Sequence, residues 1–525
     1  MAATVGWALI RRHQQGLVLA LAALAVAMFA LLPLAAPLVE LWVGHGQLAP
    51  LYSSGRLWML LLRSLVIAAS VTAVALAFGV PLGILLSRTD LWGRRILWLL
   101  HGFPMFLPPF LLALGWFHLV GRQGILGSEA GASVLFGSAG VVVVLGLGFA
   151  PVVTTLTALG ILSVDASLEE AARTVARPWR VVTRILLPSA LPAVAFAAII
   201  VFALALSELG VPMFLGVDVY PAAVFARIGG VDYAPGEAFA LALPLLAVAL
   251  ALVVAERRLV GNKALATLGL RGSQRQPIAL GKWRFAASVA GWLAAALSVA
   301  PVLALTSKGV TGGGLAMLPL WIGDSPMNSL VTGVLAATII AALGLVIGHA
   351  MARGGRTAAA VDTIALMLFV TPAPVLGVGL IAAWNRPATQ WVYGSLAIVV
   401  LGAVARYAVV GSRTIAVAVA QSSPHLEEAA AATGARYVRR LVRVVLPVHG
   451  RGVLAAWLLA LVFVLRDLEM AVLYYPPGGE PLTVRIFTLE ANGPPSIVAA
   501  LAVVQVGLTM VVVAVGASLL IRRPR

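Results

Sequence analysis

Few residues in this 525-residue chain could carry out chemistry on their own. Cysteine is absent, which excludes disulfides, thiolate catalysis and cysteine metal sites. His101, His118 and His349 lie within apolar stretches but form no ligand spacing, so we infer no metal site in this chain. The motif G-x-x-x-x-G-K-[ST] is also absent, so we find no phosphate-cradling loop in the chain.

The remaining candidates are two pairs of adjacent glutamates that open closely similar polar phrases. LEEAARTVARPWRVVTRILLP spans residues 168–188, and LEEAAAATGARYVRRLVRVVLP spans residues 426–447. One such phrase alone is typical of a solvated loop with helical propensity. A mere connector has no need to be alike at two matched positions, so the duplication favours a functional role for both copies.

The elements that must position these phrases are strongly hydrophobic. Hydrophobic residues make up 61% of the chain and charged residues 10%, with a mean hydropathy of +1.03, whereas about 25% of a soluble chain is charged. This composition predicts a polytopic membrane protein. The net charge of +17 is not gathered into a basic domain or an aromatic-interleaved patch, so it indicates membrane sidedness and not nucleic-acid binding.

Apolar segments of about 20 residues, the length that crosses about 30 Å of hydrocarbon, occur about twelve times. They predict an all-α protein with spans near residues 16–38, 59–87, 96–120, 133–161, 189–216, 236–256, 285–306, 327–352, 358–384, 395–419, 452–475 and 494–521. The first run is too long for a signal-peptide core and lacks a convincing small-residue cleavage site, so we expect a retained helix.

The basic residues assign the two sides of the membrane. With the N-terminus inside, most of the 36 lysines and arginines fall in inner loops, which places both phrases and both termini in the cytoplasm. Two copies on the same side enclose an even number of spans, so we predict a parallel duplication of units with about six spans each. The predicted units are residues 1–262 and 285–525, joined by a basic cytoplasmic linker, residues 263–284.

Each phrase has helix signals at its start. In the first copy, Ser167 and Glu170 have capping-box spacing, which predicts a helix that opens at Leu168. In the second copy, Ser423 is a polar cap and Pro424 is suited to the first helical position. Gly434 is the natural stop of the second helix, because glycine accepts a left-handed conformation.

The order E-A-A, three residues, Gly, nine residues, then I-x-L-P resembles the EAA loop of permease subunits of bacterial ATP-binding-cassette importers. The second copy fits with Glu428, Gly434 and Pro447, whereas the first copy lacks the glycine, has Pro178 where the second has Tyr437, and should turn differently. The resemblance implies coupling helices that seat in clefts of two separate ATPase subunits. The implied contact residues are Glu169, Glu170, Ala171, Ala172, Ala176, Arg177, Glu427, Glu428, Ala429, Ala430, Gly434 and Arg436.

Two further stretches narrow the resemblance to fused permeases of the ferric-iron and thiamine type. These are FPMFLPPFLLALGWFHLVGRQGILG in the third span and RDLEMAVLYYPPGGEPLTVRIF at residues 466–487. The resemblance implies a type I importer fold in the bacterial inner membrane and a substrate, ferric iron before thiamine or another solute, delivered by an extracytoplasmic binding protein. ATP and magnesium would be bound by the partner subunits, with no enzyme activity or cofactor in this chain.

Two other classes remain open at this point. A major-facilitator-type secondary transporter has a similar length and helix number, and RTDLWGRR at residues 88–95 resembles the basic loop after its second helix. The corresponding loop of the second half reads only ARGGR, and the doubled EAA loop does not fit that class. A membrane scaffold without transport would leave the matched helix breaks described below unexplained.

Three charged residues lie inside the predicted spans at matched distances from the phrases. Glu208 follows Pro188 as Asp467 follows Pro447, and about 20 helical residues bring both near the outer ends of their spans. They either reach outer-surface water or line a gate, since intramembrane ionisable groups usually face a cavity or a partner. Arg466 stands at the place of Ser207, and our hypothesis is that it neutralises Asp467 or Glu208.

Prolines break two further spans at matched positions. Pro104, Pro108 and Pro109 interrupt the third span, and Pro372 and Pro374 interrupt the ninth. They are either packing kinks or the wall of a transport pathway. Arg227 and Arg485, each before the last span of its half, are either ordinary exposed arginines or contacts for an acidic binding-protein surface.

Overall fold

The computed structural model describes residues 2–43, 52–229, 235–260 and 277–521, and helices dominate these ranges. The one bridge of β type within them joins Thr89 and Ile278 in parallel. Residues 263–276 of the predicted linker and the basic residues after Ile521 lie outside the described residues. We call residues 2–260 the N-terminal half and residues 277–521 the C-terminal half.

The N-terminal half contains α1 to α12, with short 3-10 and π-helical segments between them. Their bounds are α1 (Ala2–Val43), α2 (Gly55–Arg88), α3 (Arg94–Gly102), a 3-10 turn (Phe103–Phe106), α4 (Pro109–Val120), α5 (Glu129–Leu135), α6 (Ser138–Leu162), α7 (Ala166–Val175), α8 (Pro178–Val181), a π turn (Val182–Leu186), α9 (Leu187–Ser207), α10 (Gly210–Phe214), α11 (Tyr220–Gly229) and α12 (Pro235–Leu259).

The C-terminal half has a closely parallel order of elements. Their bounds are a 3-10 turn (Gly281–Trp283), α13 (Arg284–Thr311), α14 (Gly314–Trp321), α15 (Ser325–Ala352), α16 (Arg356–Val370), α17 (Ala373–Trp384), a 3-10 turn (Pro387–Thr389), α18 (Gln390–Tyr393), α19 (Ala397–Ala420), α20 (His425–Ala432), α21 (Tyr437–Arg440), a π turn (Leu441–Val445), α22 (Leu446–Val448), α23 (Gly450–Leu465), α24 (Ala471–Tyr474), α25 (Leu482–Asn492) and α26 (Pro495–Ile521).

Nine helices in the described ranges are long and apolar enough to cross a membrane, and three bent helix pairs raise the number to as many as 12. The predicted all-α membrane architecture is therefore confirmed. The third and ninth spans bend by 111° and 107° at the predicted prolines. The third bent pair, Tyr437–Val448 and Gly450–Leu465, is where the second phrase enters its span with a bend of 87°.

The first helix of each half packs against the broken span of the other half. Helix α1 packs along α17, and α13 packs along α4. Both contacts need a glycine, because a Cβ at Gly379 would collide with the carbonyl of Pro33 and a Cβ at Gly115 would collide with the carbonyl of Pro301. The two halves are therefore interlocked through their first helices.

Helices α2 and α6 form the centre of the N-terminal half, and α15 and α19 form that of the C-terminal half. Gly79 and Gly83 allow α6 to approach α2 closely, since an added Cβ would meet Val153 or Thr157. This pairing brings the end of α2, at Arg88, beside the phrase that follows α6. The end of α15, at Arg353, lies in the same way beside the phrase that follows α19.

Candidate functional site

The first phrase forms α7 and a return helix, which we call coupling loop one (residues 165–188). Helix α7 begins at Ala166 and not at Leu168, because Asp165 caps it: its Oδ1 accepts hydrogen bonds from the backbone and the hydroxyl of Ser167 at 2.9 and 2.8 Å. The predicted cap at Ser167 was wrong for this reason. The helix ends in an extended Ala176 (φ −133°) without a left-handed residue.

The second phrase forms α20 and its return helix, which we call coupling loop two (residues 423–447). Pro424 is the cap and not the first helical residue as predicted, since the helix begins at His425. The predicted stop at Gly434 is confirmed, with φ +89°. The two loops therefore turn differently, as the missing glycine in loop one indicates. Both return helices contain a π turn at the matched position.

The first glutamate of each pair points into the protein. Glu169 is 2% exposed and forms ion pairs with Arg88, at the end of α2, and with Arg173 at 2.8 Å. Glu427 contacts Nε2 of His349 and Nη2 of Arg353, both at 2.6 Å. Each loop is therefore fastened to the second span of its own half.

Electrostatics reinforce the attachment of loop two. Burial by itself would raise the pKa of Glu427, but hydrogen bonds from His349 and Arg353 outweigh it and lower the pKa to about 2. The Tyr437 hydroxyl contacts the other ring nitrogen of His349 at 3.3 Å, which joins α21 to the same group. Sequence reasoning missed Arg88, His349, Arg353 and Tyr437; the signal available was a basic residue at the end of each second span.

The second glutamate of each pair, Glu170 or Glu428, is exposed. The remaining predicted contact residues divide by exposure as well. Ala171, Arg177, Ala429, Gly434 and Arg436 are exposed, whereas Ala172, Ala176 and Ala430 are half-buried. Among the predicted contact residues, each loop thus offers one carboxylate, one arginine and at least one small side chain to the solvent.

Glu208 and Asp467 do not reach outer-surface water. They are 3% and 9% exposed, and each follows the helix that returns from its coupling loop. A carboxylate oxygen of Glu208 accepts from Val211 N at 3.1 Å, and one of Asp467 accepts from Met470 N at 3.3 Å. The two acids therefore hold the same local turn in both halves, with their remaining oxygens inside the protein.

Arg406 is the ion-pair partner in this region. It is 1% exposed on α19, and its guanidinium lies 2.8 Å from Glu469 and 3.7 Å from Asp467. Arg466 instead donates to the carbonyl of Met105 in the N-terminal half. Arg406 is therefore the ion-pair partner of Asp467, whereas Arg466 lines the same cavity as both acids and interacts favourably with Glu208 through its charge. That Arg466 neutralises Asp467 or Glu208 stays a prediction.

Residues from both halves line one cavity here, which we call the central cluster. Sequence reasoning placed Pro109, Glu208, Arg466 and Asp467 there, and the cavity also includes Arg406, Tyr407 and Glu469. Glu208 of the N-terminal half and Glu469 of the C-terminal half face the same cavity. Arg406 and Tyr407 were missed because they stand in a span whose neighbours are apolar.

At matching positions, the ends of α9 and α23 each form a hydrogen bond with the broken span of the opposite half. Ser207 Oγ accepts from the backbone N–H of Ala373 at 3.1 Å, where the ninth span restarts after Pro372. Arg466, at the matching position, contacts the broken third span at Met105. Pro104 lies in the 3-10 turn beside the cluster, Pro108 and Pro372 cap α4 and α17, and Pro374 lies in the first turn of α17.

The predicted binding-protein contacts, Arg227 and Arg485, are both held by local ion pairs. Arg227 pairs with Glu237, and its side chain remains 43% exposed. Arg485 lies 2.5 Å from Glu480 and also donates to the carbonyl of Trp321 at 2.9 Å. No group of three or more potential metal ligands occurs among the described residues.

The comparisons with known proteins agree with this architecture. Residues 79–260 match the family model described as binding-protein-dependent transport system inner membrane component. A putative ferric transport system permease protein of Haemophilus influenzae is 27% identical over 424 residues, 75% of this chain and 66% of the relative. A ferric transport system permease protein of Actinobacillus pleuropneumoniae is 24% identical over 78% of the chain.

A molybdate/tungstate transport system permease protein of Thermococcus kodakarensis is 31% identical over 38% of the chain and 78% of the relative's length. The matched region covers 66% and 64% of the two ferric relatives, so the chain spans somewhat less than two thirds of their length. The chain is a multi-pass membrane protein that belongs to the family of binding-protein-dependent transport system inner membrane components.

Proposed function

We propose that the chain is the membrane-spanning permease of an ATP-driven importer in a bacterial inner membrane. Two ATPase subunits bind beneath coupling loops one and two, and an extracytoplasmic binding protein delivers the substrate from the other side. The observation that carries the proposal is the like construction of the two loops. In each, the first glutamate forms ion pairs at the end of the second span and the next is exposed for a partner.

Membrane sidedness supports this arrangement. Most lysines and arginines fall in the loops that share a side with the coupling loops, which is the pattern of cytoplasmic loops. Both termini are then cytoplasmic. Arg227 and Arg485 lie on the opposite side, where they would meet an acidic binding-protein surface, with Glu237 and Glu480 holding their side chains in place until it docks.

The central cluster is the proposed gate between the halves. Beside it the halves contact each other through Ser207 with Ala373 and Arg466 with Met105, and Glu208 and Glu469 line its cavity from opposite halves. When the two ATPase subunits close on each other, coupling loops one and two would move toward each other. The return helices would carry that movement to the span ends at Glu208 and Asp467. Substrate passage requires these cross-contacts to break, so alternating access is centred on this cluster.

Ferric iron is the proposed substrate. The ferric relatives align over 75% and 78% of this chain, whereas the molybdate relatives align over less than half of it. Thiamine or another small solute is the alternative cargo, and a binding protein purified with its ligand would identify it.

The proposal is tested by co-purification. The chain is purified with its native partners, and we expect an ATPase subunit to accompany it. The double variant Glu170→Arg and Glu428→Arg should lose that subunit, because it reverses the exposed charge on both loops. Glu129→Arg, an exposed glutamate on the opposite side, is the matched control and should retain it. Absence of an ATPase from the parent chain, or its retention by the double variant, would overturn the proposal.

A further inference from the structure

The phrase RTDLWGRR, residues 88–95, connects α2 to α3 and is bound along its length by the start of the C-terminal half. The backbone N–H of Ile278 donates to the carbonyl of Arg88 at 2.7 Å, within the parallel bridge of Thr89 with Ile278. Asp90 Oδ1 accepts from the backbone N–H of Leu280 at 3.0 Å. Two alternate backbone N–H groups of this segment, those of Ile278 and Leu280, are thus held by the N-terminal half.

The contacts continue into the first helix of the C-terminal half. Arg284 opens α13, donates from Nε to the carbonyl of Asp90 at 2.8 Å and lies over the Trp92 ring at 5.5 Å. The backbone N–H of Trp92 donates to Ser288 Oγ, one turn further along α13, at 3.3 Å. Because hydrogen bonds occur at residues 278, 280, 284 and 288, little slack remains between the bridge and the helix.

The same segment is part of the interior of coupling loop one. Ile278 is 7% exposed and packs in the apolar cluster formed by Val164, Val181, Val182 and Leu186. Arg88 contacts both partners, since its side chain binds Glu169 of loop one while its carbonyl binds Ile278. Loop one and α13 are therefore joined through one buried arginine and one buried isoleucine.

Coupling loop two also contacts the first helix of the opposite half, but, among the described residues, through apolar packing alone. Val18 of α1, the first helix of the N-terminal half, packs against the cluster that contains Tyr437, Leu441 and Val445. Each loop thus contacts the leading segment of the opposite half. At loop one the contact is reinforced by backbone hydrogen bonds and by the ion pair of Arg284 with Asp90 at 3.5 Å.

We propose that residues 277–284 are a strut that transmits movement of coupling loop one directly to the first helix of the opposite half, with Asp90 and Ile278 as its positioning residues. Energetic coupling travels through packed side chains and hydrogen-bond networks that move as one body. The strut lets one ATPase contact act on both halves, through the return helix in its own half and through α13 in the other. The inference rests on the proposed function, since it assumes that loop one receives the force.

The first test uses the double variant Asp90→Ala and Ile278→Ala in vesicles that contain the chain, its ATPase subunits and its binding protein. We expect ATPase retention to be unchanged and substrate uptake per ATP hydrolysed to fall by about fivefold or more, the lower end of ordinary coupling effects. Asp90→Asn in place of Asp90→Ala keeps an acceptor for the backbone N–H of Leu280 and should recover much of the uptake that the double alanine variant loses. Asp324→Ala, an exposed helix-cap aspartate whose side chain makes no capping hydrogen bond, is the matched control.

The second test exploits the absence of cysteine from the chain. Thr89→Cys with Ile278→Cys is cross-linked by oxidation or by a short bifunctional thiol reagent. The reduced cysteine variant is the reference for this test, since it already lacks Ile278. A strut keeps this pair together throughout transport, so cross-linking should leave the uptake of that variant unchanged or raise it. Uptake that stops on cross-linking and returns on reduction would overturn the strut, as would parent-like coupling in the double alanine variant. If vesicles with the unmodified chain, its ATPase subunits and its binding protein show no ATP-driven uptake, the proposed function itself is contradicted.

Discussion

At the residue scale, the two glutamates of each pair have different surroundings, although nothing in the sequence pattern distinguishes them. Glu169 is buried and Glu427 half-buried against basic residues at the ends of the second spans, whereas Glu170 and Glu428 are exposed. The pattern of the phrase predicts a helix but not which acid faces inward. That choice depends on Arg88 and Arg353, which lie far from the loops in the chain.

Acidification should weaken the attachment of loop two. Because the folded-state pKa of Glu427 is about 2 against an ordinary 4.5, its ionised form stabilises the fold fully above pH 4.5 and progressively less as the pH falls toward 2. Glu427→Gln should therefore lower the stability by about 1–3 kcal/mol at neutral pH. Thermal unfolding of parent and variant should differ at pH 7 and converge below pH 4.5. An equal difference in thermal stability at pH 7 and below pH 4.5 would contradict the stabilising role of the ionised Glu427.

The two arginines of the central cluster should respond differently to removal. Arg406→Met leaves the buried Asp467 and the half-buried Glu469 without their ion-pair partner, which costs about 3–5 kcal/mol. Arg466→Met removes a hydrogen bond to a carbonyl and should cost less. The double variant Arg406→Met and Glu469→Gln should recover part of the loss. Unfolding of the parent, the single variants Arg406→Met and Glu469→Gln, and the double variant forms a double-mutant cycle, and strictly additive effects would argue against the pairing.

At the element scale, the helix ends of the two loops follow from different local chemistry. Gly434 has φ +89° and ends α20, whereas α7 runs into an extended Ala176. The sequence predicts this difference through one missing glycine. It does not predict the cap at Asp165, since Ser167 offers an equally good pattern, and the competition is decided by which oxygen reaches the helix N-terminus.

Gly434→Ala should disturb coupling loop two selectively. A side chain in the left-handed region costs about 1–2 kcal/mol, so the turn after α20 should shift and retention of the ATPase subunit should fall. Gly450→Ala is the matched control, because that glycine has open space around it and no positive φ. Co-purification of the ATPase with each variant measures the effect, and equal retention by both would show that the turn is dispensable.

At the scale of the whole molecule, apolar run lengths predict the membrane architecture and the prolines predict where the third and ninth spans break. The contacts between halves could not be predicted in this way. The pairing of α1 with α17, of Ser207 with Ala373 and of RTDLWGRR with residues 277–288 joins segments distant in sequence. Glycines such as Gly115 and Gly379 permit close packing, but a glycine in a span does not reveal which helix approaches it.

ATP-driven uptake of radiolabelled ferric iron is the measurement that tests the central claim most directly. Vesicles containing the chain and its ATPase subunits are supplied with the iron-loaded binding protein, with or without ATP and with or without a proton gradient. We expect accumulation that requires ATP and the binding protein and that is lost in the Glu170→Arg and Glu428→Arg double variant. Accumulation driven by a proton gradient without ATP, as in a secondary transporter, would contradict it.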